Sequence, residues 1–437
     1  MPDIYEIVNA TQLNSDLGDV ADAIRAKSQG QDPLLFPSEF ISEIGSIPTG
    51  ASITGQTDVT VKALENIAEG DTLFIYKPMQ AMFVDKLAGD CHKVAWKPDG
   101  TRLAITHGSS PRISIYDTST WPYTKISDPD TLPTGTAWGC SWSPDGTRLA
   151  VAHDTSPYIT IYDTTTTPYT KITNPGTLPV STSYGCSWSP DGTRLAVAHK
   201  TSPYITIYDT TTTPYTKITN PGTLPAGNAN GCSWSPDGKK LAVAHDSSPY
   251  MTVYNTETTP YTKLTNPTSL PNGNANECAW SADGERLAIG HGSSRYLSIY
   301  NTATTPYTRL TTGAMTANVH QMAFYGSGHQ YIAVTLYGGS EAGVYDIDNN
   351  LISYFKFGPF YYGYGCAFSP DFKKIAIAAY GATGYKAVMN VFVYEYSETE
   401  AEKASNVARY SMGGSYGYAK SSIAAGSTGA AAILFEP

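Results

Sequence analysis

Short runs of alternating apolar and polar residues follow one another along most of the chain. From Gly139 the chain reads GCSWSPDGTRLAVAHDTSPYITIYDTTTTPYTK, and this segment returns almost letter for letter from Gly185 and from Gly231. Within it, GCSWS, RLAVAH, YITIYD and YTKI are typical of strands, and the intervening SPDG and TTTT segments are typical of turns. Each copy is therefore predicted to form four short strands.

Seven copies of this unit can be placed along the chain. We place their starts at Cys91, Cys140, Cys186, Cys232, Cys278, Met322 and Cys366, so that successive copies are 49, 46, 46, 46, 44 and 44 residues apart. Spacings of this size are typical of four-stranded propeller blades. A single blade leaves both of its faces uncovered, so we expect the seven copies to close into a ring. The segment Met82 to Leu87 resembles YTKI in its position and is predicted to supply the outer strand of the seventh blade.

The regions that flank the repeats carry patterns of their own. The pattern AxxxIAxGxT begins at Ala63 and again at Ala419. We interpret residues 51–80 and 405–437 as two halves of one small β-domain into which the propeller, residues 81–404, is inserted. Two unrelated turns built from small residues are the alternative.

Residues 1–50 are predicted to be an α-helical attachment segment. Apolar residues from Leu13 to Ile24 recur at helical spacing, and Pro37 can open a second helix. Two short helices bury little surface alone, so we expect this segment to dock against other copies or a host assembly. The predicted fold is mainly β: a seven-bladed β-propeller inserted in a small β-domain, with a short N-terminal helical segment.

Charge is concentrated outside the repeats. The net charge is −10, and residues 1–47 hold eight acidic side chains against Arg25 and Lys27. Residues 81–394 carry equal numbers of acidic and basic side chains, so a basic groove for nucleic acid is not expected. The opening MPDIYEIVNATQ lacks the basic and apolar regions of a secretory signal, and no apolar run is long enough to span a membrane.

Two parts of the chain resemble known families. The WSPDG segments that begin at Trp142, Trp188 and Trp234 resemble those of Trp-Asp repeat propellers and their bacterial relatives. The segment AIRAK from Ala23 and the segment FPSEFI from Phe36 resemble tail, baseplate and receptor-binding proteins of phages and phage-tail-like particles of Gram-positive bacteria. The second resemblance implies a virion component, made in the host cytoplasm, whose distal domain contacts the host surface. It also suggests a homo-oligomer, with a trimer as the expected state.

The repeated cysteines and histidines are mostly structural in our interpretation. All six cysteines are assigned to one position of the repeat and are expected to be buried and unpaired. His107, His153, His199, His245 and His291 each end a second strand. Side chains spread around a ring cannot reach one metal ion, so no metal site is expected. The histidines are predicted to hold the following loop, with contact to a ligand at the mouth of the ring as the alternative.

No catalytic residues are predicted. Glycoside hydrolysis requires two acids close together, and the candidates Glu257, Glu277, Glu285 and Glu341 are scattered over different loop positions. Nucleophile elbows, zinc-protease motifs and phosphate-binding loops are absent from the sequence. No cofactor is expected either.

Differences between the nearly identical central copies cluster in two loops. One loop connects successive units, and the other follows the repeated histidine, where Gly108, Asp154, Lys200, Asp246 and Gly292 share one position. A propeller of this strand order brings both loops to one face. Drift on exposed loops is one explanation, and a recognition face is the other. The residues assigned to that face as ligand contacts are Trp138, Tyr184, Asn230, Asn276, His153, His199, His245, His291, Tyr361, Tyr362 and Tyr364.

Aromatic, amide and hydroxyl groups on a neutral surface favour a glycan over a polyanion. The predicted function is therefore adhesion to a host surface component, a polysaccharide or a protein, by the propeller of a tail or baseplate protein. Two alternatives stay open: a glycan-cleaving propeller enzyme, and a purely structural baseplate component.

Overall fold

The computed structural model shows a protein built from β-strands. It describes residues 71–75, 82–87, 89–120, 122–293, 295–310, 315, 317–325, 331–337, 341–346, 351–356, 361–372, 374–381, 389–395, 407–412, 415–420 and 429–433. Among these residues no helix is present that is long and apolar enough to cross a membrane. The mainly β prediction is confirmed, whereas the predicted helical segment, residues 1–50, lies outside the described residues.

The described part of the chain contains 32 strands. In chain order they are β1 (Asp71–Ile75), β2 (Met82–Leu87), β3 (Cys91–Trp96), β4 (Arg102–His107), β5 (Ile113–Asp117), β6 (Thr124–Lys125), β7 (Ala137–Trp142), β8 (Arg148–His153), β9 (Ile159–Asp163), β10 (Thr170–Lys171), β11 (Ser183–Trp188), β12 (Arg194–His199), β13 (Ile205–Asp209), β14 (Thr216–Lys217), β15 (Ala229–Trp234), β16 (Lys240–His245), β17 (Met251–Asn255), β18 (Thr262–Lys263), β19 (Ala275–Trp280), β20 (Arg286–His291), β21 (Leu297–Asn301), β22 (Thr308–Arg309), β23 (Asn318–Tyr325), β24 (Tyr331–Tyr337), β25 (Glu341–Asp346), β26 (Leu351–Lys356), β27 (Tyr361–Phe368), β28 (Lys374–Gly381), β29 (Met389–Glu395), β30 (Val407–Met412), β31 (Ser415–Lys420) and β32 (Gly429–Ile433).

Six four-stranded sheets, blades 1 to 6, are each formed by four consecutive antiparallel strands, from β3–β6 in blade 1 to β23–β26 in blade 6. One further sheet, here called the closing sheet, joins β27, β28 and β29 to β2, which precedes blade 1 in the chain. This pairing of β2 is the one predicted for Met82 to Leu87. The innermost strands of successive sheets contact one another, and β27 contacts β3. The β-propeller is thereby confirmed. The predicted seven blades are corrected to six blades of consecutive strands, and the composite closing sheet lies between blades 6 and 1.

The regions that flank the propeller contribute to a separate sheet. Strand β1 pairs in parallel with β32, and β30 and β31 complete the sheet in the order β1, β32, β31, β30. Contacts divide the chain into two units, one of residues 81–395 and the other of residues 1–80 together with 396–437. The two flanking regions that share the AxxxIAxGxT pattern thus supply strands to one sheet.

Apolar contacts between neighbouring sheets form the core of the propeller. In β12 of blade 3, Leu195 and Val197 pack with side chains of blade 2, while Ala196 and Ala198 pack with side chains of blade 4. Successive side chains of a strand point to opposite faces, so a strand that is apolar throughout is covered on both sides. The RLAVAH segments contain the apolar run LAVA because both faces of these strands are buried.

In blades 1 to 5, the tryptophan at the end of the inner strand connects two sheets. The indole nitrogen of Trp188 donates a hydrogen bond of 3.1 Å to the carbonyl of Ser141 in the preceding blade, and its ring meets Tyr215 edge to face. The same donor bond joins Trp96 to Ala367, Trp142 to Ala95, Trp234 to Ser187 and Trp280 to Ser233. The first of these bonds links blade 1 to the closing sheet.

The alignment of the first unit on Cys91 is wrong. Cys140 pairs with Val151, whereas Cys91 pairs with His107 and takes the position of Ala137 in the next unit. Val94 is the residue of blade 1 that corresponds to Cys140, because it pairs with Ile105 two residues before the tryptophan. All six cysteines are buried, as predicted, and burial raises the pKa of the Cys186 thiol to about 12.

Candidate binding site at the channel mouth

In each sheet of the propeller, the inner strand contains one extra residue near its start, which shifts the pairing with the second strand. In blade 2, Ala137 pairs with His153 and Gly139 with Ala152, which leaves Trp138 as an extra residue between them. Such a bulge bends a strand and redirects a side chain. The corresponding extra residues, here called the mouth ring, are His92, Trp138, Tyr184, Asn230, Asn276, His320 and Tyr364.

Five members of the mouth ring form a continuous arc of rings. His92 and Trp138 are stacked, with centroids 4.2 Å apart and planes at 20°. Trp138 meets Tyr184 edge to face at 5.5 Å. On the other side, Tyr364 lies 5.9 Å from His92 and 4.4 Å from His320. We call these five residues the aromatic arc. It runs from blade 6 through the closing sheet to blades 1, 2 and 3.

Asn230 and Asn276, in blades 4 and 5, form the amide arc that completes the mouth ring. Each donates a hydrogen bond from Nδ2 to a backbone carbonyl of the following blade, at the residue just before the bulge of that blade. The Nδ1 atom of His92 lies within hydrogen-bond distance of the corresponding carbonyl in blade 2. The distances are 2.8 Å for Asn230 to Ala275, 2.9 Å for Asn276 to Val319 and 2.8 Å for His92 to Ala137. These bonds fix the side chains to the neighbouring sheet.

The two histidines of the mouth ring are neutral at pH 7. Burial lowers the pKa of His92, although its bond to Ala137 and the nearby Asp90 carboxylate oppose the shift. Burial likewise lowers the pKa of His320 to about 4, against a weaker opposing effect of its bond to Tyr364. The mouth ring therefore carries no formal charge near neutral pH.

A polar layer crosses the channel one residue further along the inner strands. Lys93 Nζ and Glu277 Oε2 form an ion pair of 2.6 Å. Lys93 belongs to blade 1 and Glu277 to blade 5, which are not neighbours, so the pair crosses the channel. Gln321 of blade 6 holds the corresponding position and accepts a bond from the Cys366 nitrogen. We call Lys93, Glu277 and Gln321 the channel floor.

Glycine occupies the same layer in the remaining four sheets. A Cβ atom on Gly231 would lie 2.3 Å from Glu277 Oε1, and one on Gly365 would lie 2.8 Å from Gln321 Oε1. Glycine at these positions leaves the space that the long side chains of the floor occupy. Burial alone would lower the pKa of Lys93, but the charge of Glu277 and its hydrogen bond outweigh burial and raise it above its ordinary value.

The two variable loops border the mouth ring on the same side of the channel. The nitrogen of Asp154 donates to the carbonyl of Thr136, and Thr134 Oγ1 donates 2.8 Å to the carbonyl of Ser156. The two loops therefore lie side by side, as the sequence predicted. Lys200 reaches across from the second loop, with Nζ 4.8 Å from the centre of the Tyr184 ring.

Five of the residues predicted as ligand contacts meet in the mouth ring: Trp138, Tyr184, Asn230, Asn276 and Tyr364. Tyr361 and Tyr362 were assigned to a loop, but the structure places them in β27, paired with Gly381 and Tyr380. Their side chains lie outside the described residues. His92 and His320 were missed, although every mouth-ring residue stands four positions before the aromatic residue of its repeat.

The other predicted histidine contacts are corrected by the structure. His153, His199, His245 and His291 are 0% exposed, so no ligand at the surface reaches them. Their Nε2 atoms lie 2.9 to 3.0 Å from the hydroxyl of a Ser or Thr in the third strand of the same blade. These imidazoles hold the second and third strands together, which is a structural role.

The acids considered for hydrolysis do not converge in the described part of the chain. Glu277 is paired with Lys93 in the channel, whereas Glu257 forms a 3.5 Å ion pair with Lys239 on the surface. No group of three or more His, Cys, Asp or Glu side chains that could hold a metal ion occurs among the described residues.

Comparison with known proteins supports the fold. A model of the eukaryotic translation initiation factor eIF2A family matches residues 49–208. The β-propeller domain of Myceliophteria thermophila Cps50 (Swd1) is 14% identical, with a TM-score of 0.55 over 72% of this chain and 99% of that one. Hydrazine synthase of Kuenenia stuttgartiensis is 17% identical, with a TM-score of 0.55 over 69% of this chain and 96% of that one.

A chain of a mitotic checkpoint complex is 15% identical, with a TM-score of 0.58 over 78% of this chain and 100% of that one. No curated protein matches the sequence. These likenesses establish a β-propeller similar to those of Trp-Asp repeat proteins, and they leave the function to be argued from the residues.

Proposed function

We propose that this chain is a non-enzymatic adhesion protein of a phage tail or phage-tail-like particle. Its propeller binds an uncharged, hydroxyl-rich component of the host cell surface, and a polysaccharide is the class that fits best. The N-terminal segment attaches the chain to other tail or baseplate proteins, in a homo-oligomer for which a trimer is the expected state. The resemblance of residues 13–47 to such proteins supports the location in a virion.

The observation that carries the proposal is the mouth ring. Aromatic faces cover the C–H surfaces of sugars, and amide groups form hydrogen bonds with sugar hydroxyls. The aromatic arc and the amide arc offer both kinds of group around one opening. Because the ring is neutral, it has no attraction for a polyanion.

Bond cleavage is not part of the proposal. Glycosidases place two carboxyl groups on either side of the scissile bond, and neither the mouth ring nor the channel floor contains two acids. Glu277 is the acid of the floor, and its carboxylate is already paired with Lys93.

Adsorption of the purified full chain to cells tests this function. Labelled wild-type chain is incubated with a panel of Gram-positive bacteria, beside Trp138→Ala and Val180→Ser. Val180 is 50% exposed in a loop that connects two blades, so its variant is a matched surface control. We expect wild type and Val180→Ser to adsorb to a subset of strains and Trp138→Ala to adsorb at least tenfold less. Equal adsorption by Trp138→Ala, or no adsorption to any strain, contradicts the proposal.

A further inference from the structure

Resting on the proposed function, we infer that the mouth ring is a single blind site. The mouth ring holds one end of a neutral glycan per chain. It selects that end by the hydroxyl hydrogens that the glycan donates. The near-identical blades could instead suggest one equal site on each blade. The structure distinguishes these possibilities through three features: the floor, the distribution of rings and amides, and the hydrogen-bond groups that remain unpaired.

The floor makes the site blind. The Lys93 to Glu277 pair spans the channel between non-neighbouring blades, and Gln321 lies in the same layer. A polymer therefore cannot pass along the channel beneath the mouth. It presents an end, or a side branch, from the face that carries the variable loops.

The mouth ring is unequal around its circumference, so it cannot act as a set of equivalent sites. Blades 2, 3 and 4 are nearly identical elsewhere, yet they place Trp138, Tyr184 and Asn230 at the same structural position. Rings occupy five consecutive positions and amides the other two. One ligand that contacts both arcs uses this asymmetry, whereas a ligand on one blade contacts a single member.

The amide arc keeps both acceptors and donors for a ligand. Asn230 and Asn276 each use one Nδ2 hydrogen toward the neighbouring sheet, which leaves Oδ1 to accept and the second Nδ2 hydrogen to donate. In the neutral tautomer that donates from Nδ1 to Ala137, the Nε2 atom of His92 is also an acceptor. A sugar hydroxyl both donates and accepts, so it can use both kinds of group, whereas a carboxylate or phosphate only accepts and leaves the three acceptors unpaired.

A glycan array of full chain on neutral, acidic and O-methylated oligosaccharides tests the selection rule. O-methylation replaces each hydroxyl hydrogen of the sugar with a methyl group and keeps the oxygen atom. It therefore removes the hydrogen-bond donors of the ligand. We expect neutral oligosaccharides to bind and their O-methylated forms to lose at least tenfold in affinity. Binding that survives O-methylation, or a preference for acidic oligosaccharides, overturns the inference while leaving adhesion itself intact.

Isothermal titration with the best neutral oligosaccharide measures the number of sites. The expected stoichiometry is about one per chain. For Asn230→Ala and Asn276→Ala we expect about fivefold weaker binding each, since one neutral hydrogen bond contributes about 1 kcal/mol. Val180→Ser, which lies in a bordering loop, serves as the control with unchanged affinity, and thermal unfolding confirms that each variant is folded.

These experiments distinguish failure of the single mouth site from failure of the adhesion function. A stoichiometry of three or more, or unchanged affinity in both asparagine variants, overturns the single mouth site and keeps the adhesion function. Failure of the full chain to bind both cells and oligosaccharides overturns both.

Discussion

Single buried side chains in this propeller are arranged to stay neutral and to connect neighbouring strands or sheets. The repeated histidines lie inside the blades and contact a Ser or Thr hydroxyl, and the repeated tryptophans donate to the preceding sheet. Burial of an imidazole disfavours its charged form. The residues that recur most regularly are therefore structural, whereas the residue at the bulge differs in each of the three central copies.

The first prediction concerns acid. Burial lowers the pKa of His153, His199 and His291 to about 4 from an ordinary 6.5. As pH falls from 6.5 toward 4, the unfolded chain takes up protons that the folded chain does not, so the free energy of unfolding decreases. Between pH 7 and 5 each of these histidines should contribute about 2 kcal/mol of this loss. Urea unfolding at both pH values measures it.

The matched variant for this experiment is His199→Asn. It should be less stable than wild type at pH 7 but should lose less stability on acidification. A wild-type stability that is unchanged between pH 7 and 5 contradicts the assignment of buried neutral imidazoles.

The second prediction concerns the bond between blades 2 and 3. Trp188→Phe removes the indole donor to Ser141 while keeping an aromatic ring against Tyr215. The carbonyl loses its partner, so we expect a loss of about 1 to 2 kcal/mol. Urea unfolding measures the loss, with Val180→Ser as a control that stays within about 0.5 kcal/mol of wild type.

At the scale of the element, the inner strand combines two tasks within two consecutive residues. Its bulge sets a side chain of the mouth ring, and the next residue either reaches across the channel or is glycine to make room. In blade 5 these residues are Asn276 and Glu277, and in blade 3 they are Tyr184 and Gly185. The mouth ring and the channel floor are thus consecutive layers of the same strands.

The third prediction concerns the floor. Lys93→Met leaves the Glu277 carboxylate without its partner, and breaking such a pair should cost about 3 kcal/mol of unfolding free energy. Adding Glu277→Gln removes the unpaired charge, so the double variant should recover most of the loss. A double-mutant cycle from urea unfolding measures the coupling. Additive losses would show that the pair does not interact.

The sequence predicts the parts of this arrangement that repeat along the chain, and it does not predict contacts that depend on ring closure. The turns, the repeated strands and the outer strand at Met82 to Leu87 follow from local patterns, and so does the convergence of the variable loops. The floor does not, because the contact between Lys93 and Glu277 joins residues 184 positions apart and depends on how the ring closes. His92 was missed because the first unit was aligned on Cys91, three residues before the structurally equivalent Val94.

At the scale of the whole propeller, ring closure depends on a strand from the far end of the sequence. Strand β2 completes the closing sheet, and Leu87 at its end packs in one buried cluster with Trp96 and Leu103 of blade 1 and Ala376 of β28. This cluster joins the first and last parts of the propeller. We call the pairing of β2 with β29, together with this cluster, the seam of the propeller.

The fourth prediction tests this seam. Leu87 is 7% exposed, and Leu87→Ala should lower the unfolding free energy by about 2 to 4 kcal/mol. Because the seam closes the ring, we expect the variant propeller to unfold in a transition at lower urea that still involves all sheets. Tryptophan fluorescence follows it, since each of blades 1 to 5 carries its own repeat tryptophan. An unchanged midpoint contradicts a role of β2 in closure.

The three central blades carry glycine at 139, 185 and 231 and are nearly identical in sequence outside the bulge and the variable loops. Recombination between these near-identical copies would permute Trp138, Tyr184 and Asn230 without touching Lys93, Glu277 or Gln321. New orders of ring and amide would then arise on an unchanged scaffold. Under the adhesion function proposed above, gene conversion within one reading frame would change the preferred ligand while the folded scaffold is kept.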